Sequence, residues 1–195
     1  MNKSFSITDY KEYIMIGKVF VSNGLNLVYG ASGTGKTIST IKALNEEGIT
    51  PYLLDFDDNL SPEASNCNFY HVNGSAMFES KESLTSATIP TNSVIVVDTW
   101  QLFMTNGGHI DILREWADKY NNTIIIIAHN KDLATRTDLP DMDSRIANHM
   151  SSKLFLEYDK GSKTKTNPRP EGTNLTVLKL RGYKGPRTIY NWMRD

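Results

Sequence analysis

A glycine-rich octapeptide restricts this chain more than any other feature of its sequence. Residues 30–37 read GASGTGKT and fill the pattern G-x-x-x-x-G-K-[ST] at every specified position. The apolar run LNLVYG leads into it, and Thr37 to Glu47 reads as a helix that Gly48 closes in a left-handed conformation. A strand, a glycine loop and a helix in this order are the setting in which such a loop wraps phosphates. The sequence therefore predicts a nucleotide site at the end of a buried strand.

The loop also predicts which of its groups touch the nucleotide. Its glycines let backbone N–H groups turn toward the phosphates, the Lys36 cation can reach the β- and γ-phosphates, and the Thr37 hydroxyl can ligate Mg²⁺. The positive end of the following helix points at the same anion. The predicted nucleotide-binding residues are Gly30, Ala31, Ser32, Gly33, Thr34, Gly35, Lys36, Thr37 and Ile38.

Carboxylates at two further strand ends are candidates for the rest of the site. SVIVVD is an apolar strand that ends in Asp98, where an aspartate can hold the magnesium shell opposite the loop. PYLLDF leads into DFDD, which offers Asp55, Asp57 and Asp58 as a base that orients the attacking water. Because side chains alternate along a strand, we expect Asp55 and Asp57 to share a face.

The remaining pattern predicts an α/β fold. An apolar run at 123–129 is typical of a strand covered on both faces, and the apolar positions of Gly108 to Tyr120 fall on one helical face. Three strand-like segments at the C-terminus follow one another without helices. We predict a single domain over 1–195, with a short N-terminal extension at 1–24 and a mainly parallel sheet flanked by helices and extended by antiparallel C-terminal strands. Other predicted elements are strands at 68–72, 153–158, 175–180 and 188–193 and a short helix around 77–87.

Composition narrows the setting in which the chain works. Its 195 residues are 39% hydrophobic, which suits one domain with its own core. No apolar run nears the ~20 residues of a membrane span, so we expect no membrane partner. The single cysteine, Cys67, fits a reducing cytoplasm. Residues 151–195 hold ten Lys/Arg against four Asp/Glu, which indicates either a nucleic-acid face or a solvated, lysine-rich hairpin.

Two classes of phosphate-loop protein fit the remaining sequence poorly. A GTPase switch needs N-K-x-D to read guanine, but Leu133 stands where the second Asp should be, and we reject this class. A small-molecule kinase matches the length, and such kinases resemble one another in an arginine-rich lid. The polar stretch 130–145 carries only Arg136 and Arg145, so the kinase is kept as an alternative.

A third class fits better. The order of elements over about 22–195 resembles the RecA-like ATPase core, especially its branch of DnaB-type replicative hexameric helicases. VIVVDTWQLF is similar to that branch's strand ending in Asp followed by x-x-Gln-Leu. LLDFDDNLSP is similar to the segment in which a catalytic Glu follows the second strand, which places Asp57, one methylene shorter, at the catalytic position. IIIIAHN resembles the strand whose polar end senses the γ-phosphate, which implies that role for His129, with Asn130 beside it.

The resemblance also implies residues that act between subunits and on a polynucleotide. VLKLRGYKG resembles the helicase strand that carries Lys-x-Arg, which implies that Lys179 and Arg181 reach the nucleotide of a neighbouring subunit; the alternative is a strand edge blunted by charge. The polynucleotide loops of the family correspond to about 103–109 and 131–145. Within them Lys131, Arg136 and Arg145 are candidate phosphate contacts, beside several aspartates, and the basic segment 160–169 is a rival site.

We therefore expect a Mg²⁺-dependent, ATP-hydrolysing motor that forms a homo-oligomeric ring, a hexamer, and acts in the cytoplasm on nucleic acid, single-stranded DNA in the first place. A helicase-like translocase is the leading hypothesis for its function. A recombinase or annealing ATPase, a genome-packaging ATPase, a small-molecule kinase and a nucleotide-binding assembly factor are the alternatives. Only about 24 residues precede the first core strand, so the expected chain is a stripped motor core that resembles the minimal ATPases of phages or plasmids.

Overall fold

The computed structural model describes residues 15–16, 19–130, 142, 146, 150–158, 173–180 and 187–189. The strands in chain order are β1 (Met15–Ile16), β2 (Phe20–Val21), β3 (Leu25–Ala31), β4 (Tyr52–Asp55), β5 (Tyr70–Asn73), β6 (Val94–Asp98), β7 (Thr123–Asn130), β8 (Ser152–Tyr158), β9 (Thr173–Leu180) and β10 (Arg187–Ile189). The helices are α1 (Lys36–Glu46), α2 (Pro62–Ser65), α3 (Gly74–Met77), α4 (Lys81–Ser86), α5 (Trp100–Thr105) and α6 (Ile110–Lys119).

An eight-stranded sheet organises the described part of the chain. Its spatial order is β10-β9-β8-β3-β7-β6-β4-β5. The six strands from β8 to β5 pair in parallel, and β9 and β10 continue the sheet in antiparallel orientation. This arrangement confirms the predicted fold class. A separate antiparallel pair, β1 with β2, was not predicted.

Strand β7 shows why the middle of the sheet is buried on both faces. Ile124 and Ile126 pack into one apolar cluster, which includes the buried side chains of α5 and α6. Ile125 and Ile127 pack into a second cluster on the other face, together with apolar residues of α1. All four isoleucines are fully buried, and each contributes on the order of 1.5–3 kcal/mol of burial free energy. The continuous apolar run therefore reports a central strand, as predicted.

The two longer helices match their predictions closely. Helix α1 covers Lys36–Glu46, and Gly48 follows it with φ +73°, the predicted left-handed conformation. Helix α6 covers Ile110–Lys119 and buries the predicted apolar face. His109 caps its first turn, because its side chain accepts a hydrogen bond from the backbone N–H of Asp111.

Local helix caps divide one predicted helix into two. The single helix predicted around 77–87 is two short helices, α3 and α4. The Asn73 side chain accepts a hydrogen bond from the backbone N–H of Ala76 and starts α3 early. Ser80 and Ser83 then form a reciprocal capping box that starts α4. Two caps within eight residues divide the segment.

The segment after β6 also differs from its prediction. A polynucleotide loop was expected over 103–109, but α5 continues through Thr105 and Phe103 is fully buried. Trp100 and Phe103 lie one helical turn apart and both enter the core, which stabilises a helix here. At Gly108 an added Cβ would lie 2.4 Å from the Phe103 ring. The first three residues of the expected loop are therefore helical, and Phe103 belongs to the core.

Among the described residues, no helix is both long and apolar enough to cross a membrane. The N-terminal residues 1–14 and the basic segment 160–169 lie outside the described residues.

Candidate functional site

A cleft of about 330 Å³ opens where the carboxyl ends of the parallel strands meet. The loop after β3, the turn after β4, the last residue of β6 and the end of β7 all contribute side chains to it. This edge is where open α/β sheets bind their ligands. From the loop and the start of α1, the cleft is lined by Ser32, Gly33, Gly35, Lys36, Thr37 and Ile38.

Three of the residues predicted to bind nucleotide, Gly30, Ala31 and Thr34, do not line the cleft but support the loop from behind. Gly30 lies in β3 so close to the neighbouring strand that an added Cβ would sit 2.1 Å from the Leu156 carbonyl oxygen. The buried Thr34 hydroxyl donates to the Ala31 carbonyl at 2.9 Å. Gly35, with φ +74°, provides the left-handed residue from which α1 starts. Gly30, Ala31 and Thr34 therefore support the loop without lining the cleft.

The Lys36 ammonium is held within its own loop. Its Nζ donates to the Ala31 carbonyl oxygen at 2.7 Å, and the residue is almost fully buried. Burial lowers the pKa of Lys36 to about 8, although the nearby Asp98 carboxylate opposes this shift. A cation that is costly to bury and bound to one neutral carbonyl gains much from an anionic partner.

Thr37 and Asp98 meet as predicted. The Thr37 hydroxyl donates to Oδ2 of Asp98 at 2.6 Å across the cleft. Burial raises the pKa of Asp98 to about 6; the Asp55 and Asp57 carboxylates add to this shift, and the Thr37 hydrogen bond and the Lys36 cation oppose it. The peptide bond from Asp98 to Thr99 is cis.

This pair fits the requirements of a magnesium ion. Mg²⁺ prefers hard oxygen ligands and is bound at nucleotide sites through one or two protein groups together with phosphates and water. A hydroxyl and a carboxylate that already touch can both turn to one ion between them. The buried carboxylate also lacks a full positive partner, since its pKa stays raised despite Lys36. The donor set therefore suits the predicted metal.

The turn after β4 separates the roles of its aspartates. Asp55 is fully buried, and its carboxylate accepts hydrogen bonds of 2.9–3.1 Å from the four consecutive backbone N–H groups of residues 57–60. Nε2 of His71 lies 3.3 Å from the same carboxylate. Asp57 is exposed and lines the cleft. The expectation that Asp55 and Asp57 share a face is wrong, because β4 ends at Asp55 and the alternation stops there.

Two neighbours of Asp57 also line the cleft and were not predicted. They are Asn59 and Leu60, which the turn carries to the same side. Asp58 points elsewhere, and its Oδ1 lies 4.0 Å from Nε2 of His71. The run of Asp and Asn after β4 favours a turn supported by side-chain hydrogen bonds. The sequence did not show which of these side chains would face the cleft.

His129 is the contribution of β7. Its half-buried ring lines the cleft, and burial, followed by the Lys36 cation, lowers the pKa of the imidazole, which Asp57 partly opposes. The ring is therefore neutral near pH 7. Its Nδ1 is buried and has no hydrogen-bond partner among the described residues. Asn130, the next residue, is buried.

A glutamine that carried no predicted role contacts this histidine. Nε2 of Gln101 donates to the His129 carbonyl oxygen at 3.0 Å, and Oε1 of Gln101 accepts from the His129 backbone N–H at 3.3 Å. Gln101 belongs to α5, three residues after Asp98, the last residue of β6. The motif that includes Gln101 was noted from sequence, but this contact was not foreseen.

Other predicted residues are described in part or not at all. Lys179 lies in β9, and its backbone pairs with Lys153 of β8 at the level of Leu27 in β3. At about 3.3 Å per residue this level is roughly 10 Å before Gly30 along the strand, so the Lys179 backbone is displaced from the cleft. The remaining predicted residues, Arg181, Lys131, Arg136 and Arg145, lie outside the described residues.

Comparison with known proteins places the fold. No family profile matches the chain, and no curated protein matches it. A solved structure titled "Crystal structure of the RadB recombinase" is similar, with a TM-score of 0.63 and 20% sequence identity over 88% of this chain and 87% of that chain. The fold is RecA-like. At this identity the similarity extends to the fold alone, and it does not confirm the DnaB-type helicase branch.

Proposed function

We propose that this chain is a Mg²⁺-dependent ATPase that acts on nucleic acid as an oligomer. The observation that carries the proposal is the convergence of Lys36, Thr37, Asp98, Asp57 and His129 on one cleft. These side chains come from four separate segments and offer a cation, two magnesium ligands, a free carboxylate and a neutral imidazole. A cleft built only to hold a phosphate would not need the last two groups.

Each group has a part in the proposed hydrolysis. The loop N–H groups and Lys36 bind the phosphates, with Lys36 exchanging the Ala31 carbonyl for a phosphate oxygen. Thr37 and Asp98 would hold Mg²⁺, which neutralises charge on the phosphate oxygens when bound. Asp57 orients the attacking water, as an exposed carboxylate on the cleft can. His129, being neutral, can donate a hydrogen bond to the γ-phosphate without the larger desolvation cost of a buried cation.

Asp57 is favoured over Asp55 as the base for a geometric reason. The Asp55 carboxylate already accepts four backbone N–H groups and contacts His71. Its lone pairs are therefore committed to the turn, and it is fully buried. Asp57 stands on that turn with its side chain exposed to the cleft.

The proposed polymer is DNA, and two activities compete. A helicase-like translocase follows from the sequence motifs, while a recombinase or annealing ATPase is favoured by the similarity of the fold to the RadB recombinase. A strand-displacement assay and a DNA-pairing assay separate them directly. Packaging or small-molecule phosphorylation would instead give neither product.

The proposed assembly is a homo-oligomer of single-domain subunits, such as a hexameric ring, acting in the cytoplasm. Lys179 and Arg181 complete the site of the next subunit in this proposal, which is supported by the position of the Lys179 backbone away from its own cleft. Lys131, Arg136 and Arg145 would contact DNA phosphates without sequence preference.

ATP turnover with and without single-stranded DNA tests the proposal, together with mass measurement in the presence of a non-hydrolysable nucleotide. We expect Mg²⁺-dependent turnover that DNA stimulates, and an oligomer. Lys36→Ala should abolish turnover, while Lys119→Ala, which removes a lysine from the exposed end of α6, should leave it unchanged. A monomer without DNA stimulation contradicts the motor, and turnover that survives Lys36→Ala contradicts the assigned cleft.

A further inference from the structure

The end of β7 lacks a strand neighbour on one side at the cleft. Toward β3 the pairing continues to the last residue, with Ala31 opposite Asn130. Toward β6 the pairing stops where Asp98 lies opposite Ile127. The backbone groups of His129 that face β6 therefore have no strand to bond with. Buried backbone groups without partners are costly, so this end of β7 needs another source of hydrogen bonds.

The Gln101 side chain supplies that source. A carboxamide carries the same donor and acceptor as a peptide group, and Gln101 uses both on His129, at 3.0 Å to the carbonyl oxygen and 3.3 Å from the N–H. The side chain thus takes the place of the next peptide of β6. It extends the pairing on this side of β7 from Ile127 to His129, whose ring lines the cleft.

The base of this glutamine is rigid. Trp100 and Phe103 on either side of it are buried in the core, and the Phe103 backbone N–H donates to the Thr99 carbonyl at 2.9 Å. Helix α5 therefore cannot shift without moving the end of β6, where Asp98 lies. Gln101 ties the magnesium side of the cleft to His129.

The His129 ring has no such tie of its own. Its Nδ1 makes no hydrogen bond among the described residues, so the direction of the ring depends on its backbone and on its packing. We propose that Gln101 is the positioning residue that aims His129 at the γ-phosphate, and that it acts only through His129. This inference rests on the proposed function, in which His129 senses that phosphate.

Replacing Gln101 by alanine tests the proposal through a split between binding and turnover. We expect Gln101→Ala to lower the ATP turnover rate at least about tenfold and to change the affinity for ADP, which lacks the γ-phosphate, by less than about twofold, because the loop still holds the other phosphates. In the His129→Ala background the same change should have no further effect. Unchanged turnover, or an equal further loss in the His129→Ala background, would overturn the proposal.

Asn122 provides a matched control. Its carboxamide also bridges two backbone groups, accepting from the Ser93 N–H at 2.9 Å and donating to the Pro90 carbonyl at 2.7 Å, just before β7 starts. Asn122→Ala removes the same kind of clamp at the end of β7 far from the cleft. It should lower the melting temperature and leave turnover per folded molecule unchanged; a loss equal to that of Gln101→Ala would mean that any sheet clamp matters, and would overturn the specific role.

Gln101→Glu adds a pH-dependent readout that a general loss of stability would not produce. This variant also tests the proposal if Gln101→Ala fails to fold. A carboxylate accepts from the His129 N–H but cannot donate to its carbonyl, whereas the protonated acid does both. The turnover of the variant relative to wild type should therefore rise as pH falls from about 8 to about 5.5. A ratio that does not change with pH would count against the proposal.

Failure of the proposed function can be told apart from failure of this inference. If the wild-type chain hydrolyses no ATP, the proposed function falls. The role of Gln101 is then tested by nucleotide binding alone. The wild type should bind ATPγS more tightly than ADP, and Gln101→Ala should remove most of this preference. A preference that survives the substitution would overturn the role of Gln101 whatever the turnover.

Discussion

Replacing Asp98 by asparagine should stabilise the nucleotide-free protein while it abolishes ATP turnover. The amide oxygen can still accept the hydrogen bond from the Thr37 hydroxyl, which is 2.6 Å long in the present structure. The change removes a carboxylate that the folded protein ionises only at a cost. It also removes the proposed magnesium ligand, so stability and activity should move in opposite directions.

The magnitude follows from the raised pKa. Burial lifts the pKa of Asp98 from 3.8 to about 6, and at 1.36 kcal/mol per pKa unit this difference corresponds to about 3 kcal/mol at neutral pH. Since the pKa is higher in the folded protein, the wild type has its full stability below pH 4 and loses it as pH rises to about 6. The advantage of Asp98→Asn should therefore be about 3 kcal/mol at pH 7.5 and shrink to about 1 kcal/mol at pH 4.5.

Denaturant unfolding at several pH values, without Mg²⁺ or nucleotide, measures this difference. In thermal unfolding at pH 7.5 the variant should melt roughly 5 °C or more above wild type for a chain of this size. Asp118→Asn, an exposed aspartate of α6, is the control and should change stability by less than about 0.5 kcal/mol.

Addition of Mg²⁺ and a non-hydrolysable nucleotide should reverse the order. Wild type gains about 4.1 kcal/mol when free ligand reaches 1,000 times its dissociation constant, which exceeds the variant's advantage of about 3 kcal/mol, and the variant should gain much less. The reasoning is refuted if Asp98→Asn is no more stable than wild type at pH 7.5, or if its advantage is undiminished at pH 4.5.

Four further substitutions give three separate tests. Asp57→Asn should slow ATP turnover at least about tenfold without lowering the melting temperature. Asp55→Asn should instead destabilise the chain, because the turn loses acceptors for its N–H groups. The reverse pattern would assign the base to Asp55. Arg181→Ala should abolish turnover and spare ATP binding, and unchanged turnover would exclude a role in trans. Gly30→Ala should lower the unfolding free energy by about 1–3 kcal/mol, since its Cβ would meet a strand carbonyl at 2.1 Å; a fully stable variant in denaturant unfolding would show that β8 can move aside.

Sequence predicted the parts of the site that depend on one segment at a time. The loop, α1 and Gly48 follow local rules, since a phosphate loop needs its glycines and lysine at set spacings and a helix end favours glycine. Strand β7 and the buried face of α6 follow from apolar periodicity. The end of β6 at Asp98 could be predicted because an apolar run stops there at a charged residue.

Caps and packing decided the elements that sequence reasoning missed. The division between α3 and α4 depends on the side chains of Asn73 and Ser80 meeting particular backbone groups. Helix α5 forms because Trp100 and Phe103 have a core to enter. In each case the stabilising partner is chosen by geometry, so a pattern of residue types cannot show it.

The sequence by itself determined that the chain carries a phosphate loop on a mainly parallel α/β fold, because those features depend on local spacing and apolar pattern. Only the tertiary structure distinguished the surroundings of Asp55 and Asp57, since it shows that the turn uses the carboxylate of Asp55 and leaves that of Asp57 in the cleft. It also decided that Gln101 bonds His129, a contact across 28 residues. Such contacts arise where strands of unequal length end side by side, and the sequence of either segment alone does not record that difference.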